Sequence, residues 1–239
     1  MAKTAKKTSK EKTALEIPLE ELLEAGCHFG HIVAKVHPRM KEYIYMAREG
    51  VHIFDLVKTR EKLQEAISFL QKVLADPENQ VIFVGTKRQA APFIKEAAQK
   101  LGMPYITTRW IGGLLTNFEE IKKNNLKKLK KLAKQVEKRE GERTKYEQEM
   151  LRREYLRLKK DYEGVVDLKG IPAALFIVDP KKEKTAVAEA RRMGVPVVAI
   201  VDTNTDPRPI DYIIPANDDA QKSVAYILGK ITESLLRKK

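Results

Sequence analysis

Three runs of consecutive apolar, mostly β-branched residues constrain the fold of this chain more than any other feature. They are VIFV at residues 81–84 and the apolar parts of AALFIVD at residues 173–179 and of PVVAIVD at residues 196–202. Apolar and polar residues do not alternate within these runs, as they would in a strand with one solvated face. Helical patterns lie between them. The sequence therefore predicts an α/β fold, with a parallel β-sheet buried between layers of helices.

Shorter patterns predict the remaining elements. Residues 18–26 have a proline at the start and a glycine at the end of a short helix. The strand-like pieces EYIYMA and GVHIFDL flank a predicted turn at residues 48–50. Apolar residues at helical spacing predict a helix before the first buried strand and a last helix over residues 220–236.

The alternation of strands and helices breaks at residues 119–163, where 26 of the 45 residues are charged. Gly141 suits the end of one helix, and Thr144 with Glu147 forms a capping box for the next. Apolar residues continue at spacings of three and four, which is typical of a narrow seam between two helices. They are Leu129, Leu132, Val136, Leu151, Tyr155, Leu158 and Tyr162.

This segment predicts an α-helical coiled-coil hairpin that protrudes from the globular domain into which it is inserted. The globular α/β domain is then residues 14–118 and 164–239, and residues 1–13 form a disordered basic tail. With 16 basic and 10 acidic residues, the hairpin suits an RNA-binding arm, a protein-docking arm or a merely solvated coiled coil.

The charge of the whole chain indicates an anionic partner. Lys and Arg number 46 against 33 Asp and Glu, which gives a net charge of +13. Nucleic acid and anionic membrane are the two candidates, but no apolar run approaches the roughly 20 residues that a spanning helix needs. The N-terminus lacks the apolar stretch of a secretion signal, and Cys27 is the single cysteine. We expect a cytoplasmic protein without a membrane partner.

The stretch VIFVGTKRQAA, residues 81–91, combines a strand, a glycine and a basic helix start, which is how proteins bind phosphate groups. Neither of the established glycine fingerprints, G-x-G-x-x-G and G-x-x-x-x-G-K-[ST], is present. Because Pro92 belongs in the first turn of a helix, we expect that helix to start near Arg88, with Lys87 and Arg88 facing an anion. An ordinary strand-to-helix turn fits these residues equally well.

Three aspartates suggest an alternative function, that of an enzyme. Asp179 and Asp202 follow strands, where parallel sheets bind their ligands, and together with Asp206 they suit magnesium. Asp179 and Asp206 precede prolines, however, and Asp-Pro commonly opens a turn. The alternative is thus a flavodoxin-like enzyme that binds a nucleotide or a metal, but we predict no cofactor and no catalytic residue.

The histidines of CHFGHIVAKVHP, residues 27–38, raise the question of zinc. Their spacing matches no four-ligand zinc pattern. We predict a turn at the end of a helix, with histidines that are packed or face RNA, and no metal.

The most informative stretch is RWIGGLLTNFEEI, residues 109–121. The only tryptophan, Trp110, stands beside an arginine and shortly before two glycines, and Thr116 or Asn117 is placed to cap the following helix. A basic residue, an aromatic ring and a tight glycine turn together are typical of contact with an RNA backbone.

Six motifs together resemble the bacterial small-subunit ribosomal protein family S-two: LLEAGCHFGH, HPRMKEYIYMAREGVHIFDLVKT, FVGTKRQA, RWIGGLLTNF, FIVDP and GVPVVAIVDTNTDPRPIDYIIPANDDA. The resemblance runs in order over residues 17–236. It implies a flavodoxin-like or Rossmann-like parallel sheet with a protruding coiled-coil hairpin. It also implies a structural, non-enzymatic component of the ribosome that binds small-subunit rRNA and helps to recruit the mRNA-binding protein S-one. No small-molecule substrate is implied.

The resemblance and the charges together indicate which residues contact rRNA. These are Arg39, Lys41, Arg48, Lys87, Arg88, Arg109, Trp110, Asn117, Lys122 and Lys123. Further residues match the family motifs, namely His28, Gly30, His31, Gly112, Gly113 and Thr116. The chain departs from the family at residues 33–37, where VAKVH stands in place of a basic or aromatic run with Trp-Asn-Pro.

Overall fold

A computed structural model of the protein describes residues 17–137 and 144–237. The predicted tail at residues 1–13 and the predicted turn at Gly141 lie outside the described residues.

The described strands form two sheets. The strands are Phe29–Ile32 (β1), Ile44–Arg48 (β2), Val51–Phe54 (β3), Val81–Val84 (β4), Tyr105–Ile106 (β5), Ala174–Val178 (β6), Val197–Val201 (β7) and Tyr212–Pro215 (β8). The last five form one sheet in the order β5-β4-β6-β7-β8, and all neighbours in it are parallel. Counted along the chain, that order is 2-1-3-4-5, the order of flavodoxin-like folds. The predicted parallel sheet is confirmed.

The described helices are Leu19–Glu24 (α1), Leu56–Val73 (α2), Ala91–Leu101 (α3), Phe118–Ile121 (α4), Lys127–Glu137 (α5), Lys145–Tyr162 (α6), Lys184–Met193 (α7) and Gln221–Leu236 (α8). A π-helical turn, Lys122–Leu126, joins α4 to α5, and short 3₁₀ turns occur at Val33–Lys35, Pro38–Tyr43 and Glu163–Val165. Within the described part of the chain, no helix is both long and apolar enough to cross a membrane.

The central strands are buried on both faces, as their unbroken apolar sequences predict. Phe83 and Phe176 point into a core shared with α2, α3 and α8, and their ring centroids are 5.4 Å apart. Ile82 and Leu175, one residue earlier in each strand, point into a second core shared with α7 and the chain around Leu114. Burial of each such side chain contributes about 1.5–3 kcal/mol, so the two cores fix the helices on either side of the sheet.

The small sheet is antiparallel, in the order β1-β3-β2. Strands β2 and β3 are joined by Glu49 and Gly50, whose φ angles of 52° and 79° give the two-residue turn that matches the twist of a hairpin. The predicted strands and turn are confirmed. The predicted turn at the end of α1 is present at residues 25–28, but the histidine segment then continues into strand β1 instead of remaining a turn.

Helices α5 and α6 pack against each other. Leu129 and Leu132 of α5 are buried, although most of their neighbours in the sequence are lysines. The predicted capping box at the start of α6 is confirmed, since the Glu147 N–H donates to Thr144 Oγ1 and the Thr144 N–H donates to Glu147 Oε2. Asn117 occupies the position before α4, but its side chain makes no capping hydrogen bond there. The prediction of a side-chain cap at that helix is wrong.

Candidate nucleic-acid interface

The strand order reverses between β4 and β6, and folds of this class bind ligands at the carboxyl ends of such a strand pair. Gly85, Thr86 and Lys87 follow β4, and Asp179 follows β6. Gly85 has no room for a side chain, because a Cβ atom would lie 2.8 Å from Ile94 Cγ1. The tight turn after β4 therefore brings Lys87 over the position where a ligand would be expected.

Three carboxylates surround the Lys87 ammonium group. Lys87 Nζ lies 2.9 Å from Asp179 Oδ2, 2.7 Å from Asp218 Oδ1 and 2.7 Å from Asp219 Oδ1. The side chain of Lys87 is 14% exposed and that of Asp218 only 1%. An ammonium group has three N–H donors, so these contacts satisfy it completely. The protein's own side chains thus fill the crevice.

Negative charge exceeds positive charge in this cluster, and the pKa values reflect the excess. Burial raises the pKa of Asp218 to about 7, and the nearby Asp179 and Asp202 carboxylates add to the rise. Burial acts against the Lys87 ammonium group, but Asp218, Asp219 and Asp179 outweigh it and raise the Lys87 pKa above its ordinary value. Lys87 is therefore held charged beside an aspartate that gains a proton readily.

The small sheet covers this end of the main sheet. The His31 N–H donates to Thr203 Oγ1 at 2.9 Å, and His31 Nδ1 lies 3.0 Å from Asp202 Oδ2. A Cβ atom on Gly30 would lie 2.6 Å from Thr203 Cγ2, so only glycine permits this approach. The hydrogen bond with Asp202 raises the pKa of His31. The motif residues Gly30 and His31 therefore hold the two sheets together.

Across residues 17–137 and 144–237, one group of side chains has metal-ligating atoms within 4.8 Å of one another: His31, Asp202 and Asp219. Imidazole and carboxylate donors suit a divalent cation. Asp206, the third aspartate of the enzyme alternative, lies outside this group and instead pairs with Arg208 at 2.6 Å. That hydrogen bond lowers the pKa of Asp206 to about 2.

Lys87 and Arg88 do not form a joint anion site in this structure. Helix α3 begins at Ala91, three residues later than predicted, and no side chain caps it. Arg88 is exposed, whereas Lys87 faces the carboxylates. The structure separates the two basic residues into one that is available to a partner and one that is already paired.

The segment from Arg109 to Asn117, which we call the RW loop, is organised by a single carboxylate. Glu189 of α7 accepts hydrogen bonds from Trp110 Nε1 at 3.0 Å and from the backbone N–H of Gly113 at 2.7 Å. Its other oxygen accepts from the N–H groups of Leu115 and Thr116, at 3.1 and 3.4 Å, and from Thr116 Oγ1 at 3.4 Å. Gly113 adopts a φ of 84°, which glycine reaches without strain.

The RW loop is also tied to helix α6. Arg109 Nη2 lies 2.6 Å from Asp161 Oδ2, and Arg109 Nε donates to the same oxygen at 3.2 Å. The Arg109 side chain nevertheless stays 73% exposed. Sequence reasoning found the loop but missed Glu189, because a lone glutamate in a charged helix carries no signal of its own.

The other predicted contact residues are scattered, and those described next are exposed apart from the half-buried Lys122. Arg39, Lys41 and Arg48 lie in or beside the small sheet, where Arg48 Nε is 3.5 Å from Glu49. Lys123 is exposed, and Lys122 donates to the Lys169 carbonyl at 3.2 Å. The motif residue His28 is half-buried, and burial lowers its pKa. Gly112 and Thr116 are exposed residues of the RW loop, although Thr116 also donates to Glu189.

A row of lysines that sequence reasoning did not single out runs along α5 and the turn before it. Lys123, Lys127, Lys131 and Lys134 are all exposed. Their spacings of four, four and three place them along one side of a helix. Each lacks a carboxylate partner within the described residues, in contrast to Lys128, which pairs with Glu154 at 2.5 Å. We call these four residues the lysine row.

The fold and the site define a basic α/β protein of flavodoxin-like strand order, in which the protein's own ion pairs fill the usual ligand crevice. The family model described as Ribosomal protein S2 matches residues 22–237 of the 239-residue chain, and the protein belongs to that family. The resemblance drawn from the six motifs is thereby confirmed. The protein is a structural constituent of the small ribosomal subunit, with a role in translation in the cytoplasm.

Proposed function

We propose that the protein binds small-subunit rRNA through the lysine row, supported by the RW loop. The observation that carries the proposal is that Lys123, Lys127, Lys131 and Lys134 are exposed and lack carboxylate partners within the described residues. A lysine without an ion pair has no existing interaction to break when it binds phosphate, so little of the binding free energy is lost. Its binding also releases counterions from the nucleic acid. Membership of the ribosomal family supports RNA as the anion.

Other residues extend this surface in our proposal, and all of them are exposed except Trp110 and Lys122, which are half-buried. Arg109, Trp110 and Asn117 contribute from the RW loop, and Lys122 lies at the base of the lysine row. Single contacts come from Arg39, Lys41, Arg48 and Arg88. Lys87 is left out of the proposed interface, because a phosphate would have to displace three carboxylates to reach it.

We further propose that α5 and α6 are the two arms of an inserted coiled-coil hairpin. The packing of α5 on α6 supports this, since Leu129 and Leu132 of α5 are buried. In the turn before α5, Asn125 Nδ2 also donates to Tyr162 Oη of α6 at 2.8 Å. The resemblance to the S-two family suggests that the protein helps to recruit S-one. The role of the arm is tested by pull-down of S-one with small subunits. Subunits that carry the full chain are compared with subunits whose chain lacks residues 119–163.

The rRNA proposal is tested by the salt dependence of binding. The variant Lys127→Ala/Lys131→Ala is compared with Lys72→Ala/Lys222→Ala, which removes two exposed lysines from α2 and α8 instead. Binding to transcribed small-subunit rRNA is measured at several salt concentrations. Each lost phosphate contact lowers the slope of log affinity against log salt by about 0.7–0.9, so the first variant should lose about 1.4–1.8.

The control should keep the slope of the unmodified protein. Equal slopes for the two variants would place the RNA elsewhere and remove the lysine row from the proposal. The matching test in cell lysate is sedimentation. The unmodified protein should sediment with small subunits at low salt and separate from them at high salt.

We propose no catalytic activity, in line with a family that is generally non-enzymatic. The filled crevice supports this, since Lys87, Asp179 and Asp218 occupy the position where a flavodoxin-like enzyme would hold its ligand. A thermal-shift screen with nucleotides and flavins tests the alternative. A specific ligand at a hundred times its dissociation constant adds about 2.7 kcal/mol to stability, and a shift of that size would favour the enzyme.

A further inference from the structure

The Glu189 carboxylate is the anion around which the RW loop is folded. It is 9% exposed, and three backbone N–H groups, the Trp110 indole N–H and the Thr116 hydroxyl all donate to it. Within the described part of the chain, no lysine, arginine or histidine forms an ion pair with it. Hydrogen bonds from the loop therefore satisfy the Glu189 carboxylate without help from a cation.

This arrangement has the geometry of an anion-binding loop whose anion is supplied by the protein itself. The backbone N–H groups of Gly113, Leu115 and Thr116 converge on one carboxylate, while the N–H of Leu114 donates to the Ile111 carbonyl. Backbone N–H groups beside a left-handed residue also converge on bound phosphate. Gly113 supplies that conformation, and Leu114 and Leu115 anchor the loop in the core with 0% and 2% exposure. The inner side of the loop is thus occupied, and only its outer side remains for a partner.

We propose that Glu189 is a positioning residue for RNA binding, which holds the RW loop in the one conformation that presents Arg109, Trp110 and Asn117 to the RNA. This inference rests on the proposed rRNA binding. Arg109 is held at the same time by Asp161 of α6, and α4 begins directly after the loop at Phe118. Glu189 therefore also sets the start of the helical segment that carries the lysine row.

The test uses the neutral isostere Glu189→Gln in the full chain. An amide offers one acceptor oxygen, and its NH₂ group faces N–H donors, so the five hydrogen bonds cannot all persist. Because the substitution removes a negative charge, electrostatics alone predicts tighter binding to RNA. Weaker binding can then be assigned to lost positioning rather than to charge.

The matched control is Glu183→Gln. Glu183 lies just before the same helix, is 4% exposed and accepts a hydrogen bond from Thr86 Oγ1, but within the described residues it forms no hydrogen bond with the RW loop. Trp110 is the only tryptophan in the chain, so its emission and its quenching by acrylamide report on the loop directly. Circular dichroism establishes that each variant is folded at the temperature of the assay.

For Glu189→Gln we expect stronger quenching of Trp110 and an affinity for transcribed small-subunit rRNA that is about tenfold weaker. For Glu183→Gln we expect neither change. Stronger quenching with unchanged or tighter RNA binding would show a purely structural role and overturn the proposal, as would unchanged quenching. If the glutamine variant does not fold, Glu189→Asp decides by the same two readouts, since it keeps the charge but shortens the reach.

The proposed function and the positioning role fail in different ways. If the unmodified protein does not bind the rRNA, the proposed function is wrong and the positioning role falls with it. If the unmodified protein binds and Glu189→Gln binds equally well, only the positioning role is wrong.

Discussion

Replacement of Lys87 by methionine should destabilise the protein strongly, because it leaves Asp179, Asp218 and Asp219 together without their cation. Removal of one partner from a buried ion pair costs about 3–5 kcal/mol. Lys87 is 14% exposed and Asp219 is 50% exposed, so solvent screens part of the repulsion and the lower end applies, about 3 kcal/mol. At about 2–4 °C per kcal/mol for a protein of this size, the melting temperature should fall by about 6–12 °C.

The loss should depend on pH in a defined direction. Asp218 already has a pKa of about 7 in the folded protein, against about 3.9 for an unfolded aspartate. The folded state therefore binds more protons between these two values, and its stability falls as the pH rises through this window. Without Lys87 this fall should be steeper. Urea unfolding at pH 5 and pH 7, followed by circular dichroism and Trp110 emission, measures it.

The double variant Lys87→Met/Asp218→Asn supplies the control, because it removes the most deeply buried of the three uncompensated carboxylates and should recover much of the stability at pH 7. A single variant that loses less than about 1 kcal/mol, or loses the same amount at both pH values, would refute the reasoning. A stable single variant with weakened rRNA binding would instead return Lys87 to the RNA interface.

Three further predictions concern single residues. Gly30→Ala should cost about 1–3 kcal/mol in urea unfolding, because its Cβ would clash with Thr203, whereas Gly112→Ala, whose Cβ meets nothing within 4 Å, should change stability by less than about 0.5 kcal/mol; equal losses would contradict the close approach. Cys27 is buried, and burial raises its pKa to about 11, so Ellman's reagent at pH 8 should react only after unfolding; release of one equivalent from the folded protein would contradict this. Thr144→Ala should remove the capping box and cost about 1 kcal/mol, measured as faster amide exchange in the first turn of α6; unchanged exchange there would show that the cap contributes nothing.

Local sequence patterns predicted the helices, strands and turns that depend on residues close together in the sequence. The apolar runs of β4, β6 and β7 indicated strands buried on both faces, since every successive residue in them is apolar whichever face of the sheet it lies on. The turn at residues 48–50 and the capping box of Thr144 were also predicted, because both depend on residues within one or two turns of chain. Strands β1 and β8 were missed, as each is four residues long with mixed burial.

The candidate site was predicted less well than the fold. The RW loop and the basic residues around it were found from composition, and the motif residues from resemblance. The lysine row was not singled out, because an exposed, unpaired lysine has the same sequence signal as a paired one such as Lys128. Lys87 was predicted beside Arg88 on one anion site, although the two side chains have different surroundings.

The sequence by itself determined that the chain has a parallel sheet between helices, a charged helical segment with a capped second helix, and a strong positive charge. The tertiary structure alone decided the strand order and which side chains meet. Lys87 meets Asp218, 131 positions away, and Gly113 meets Glu189, 76 positions away. Periodicity in the sequence indicates which side of a helix or strand is buried, but it does not indicate which other element packs there. That pairing depends on how the layers of the fold pack, and it decides the surroundings of Lys87 and Glu189.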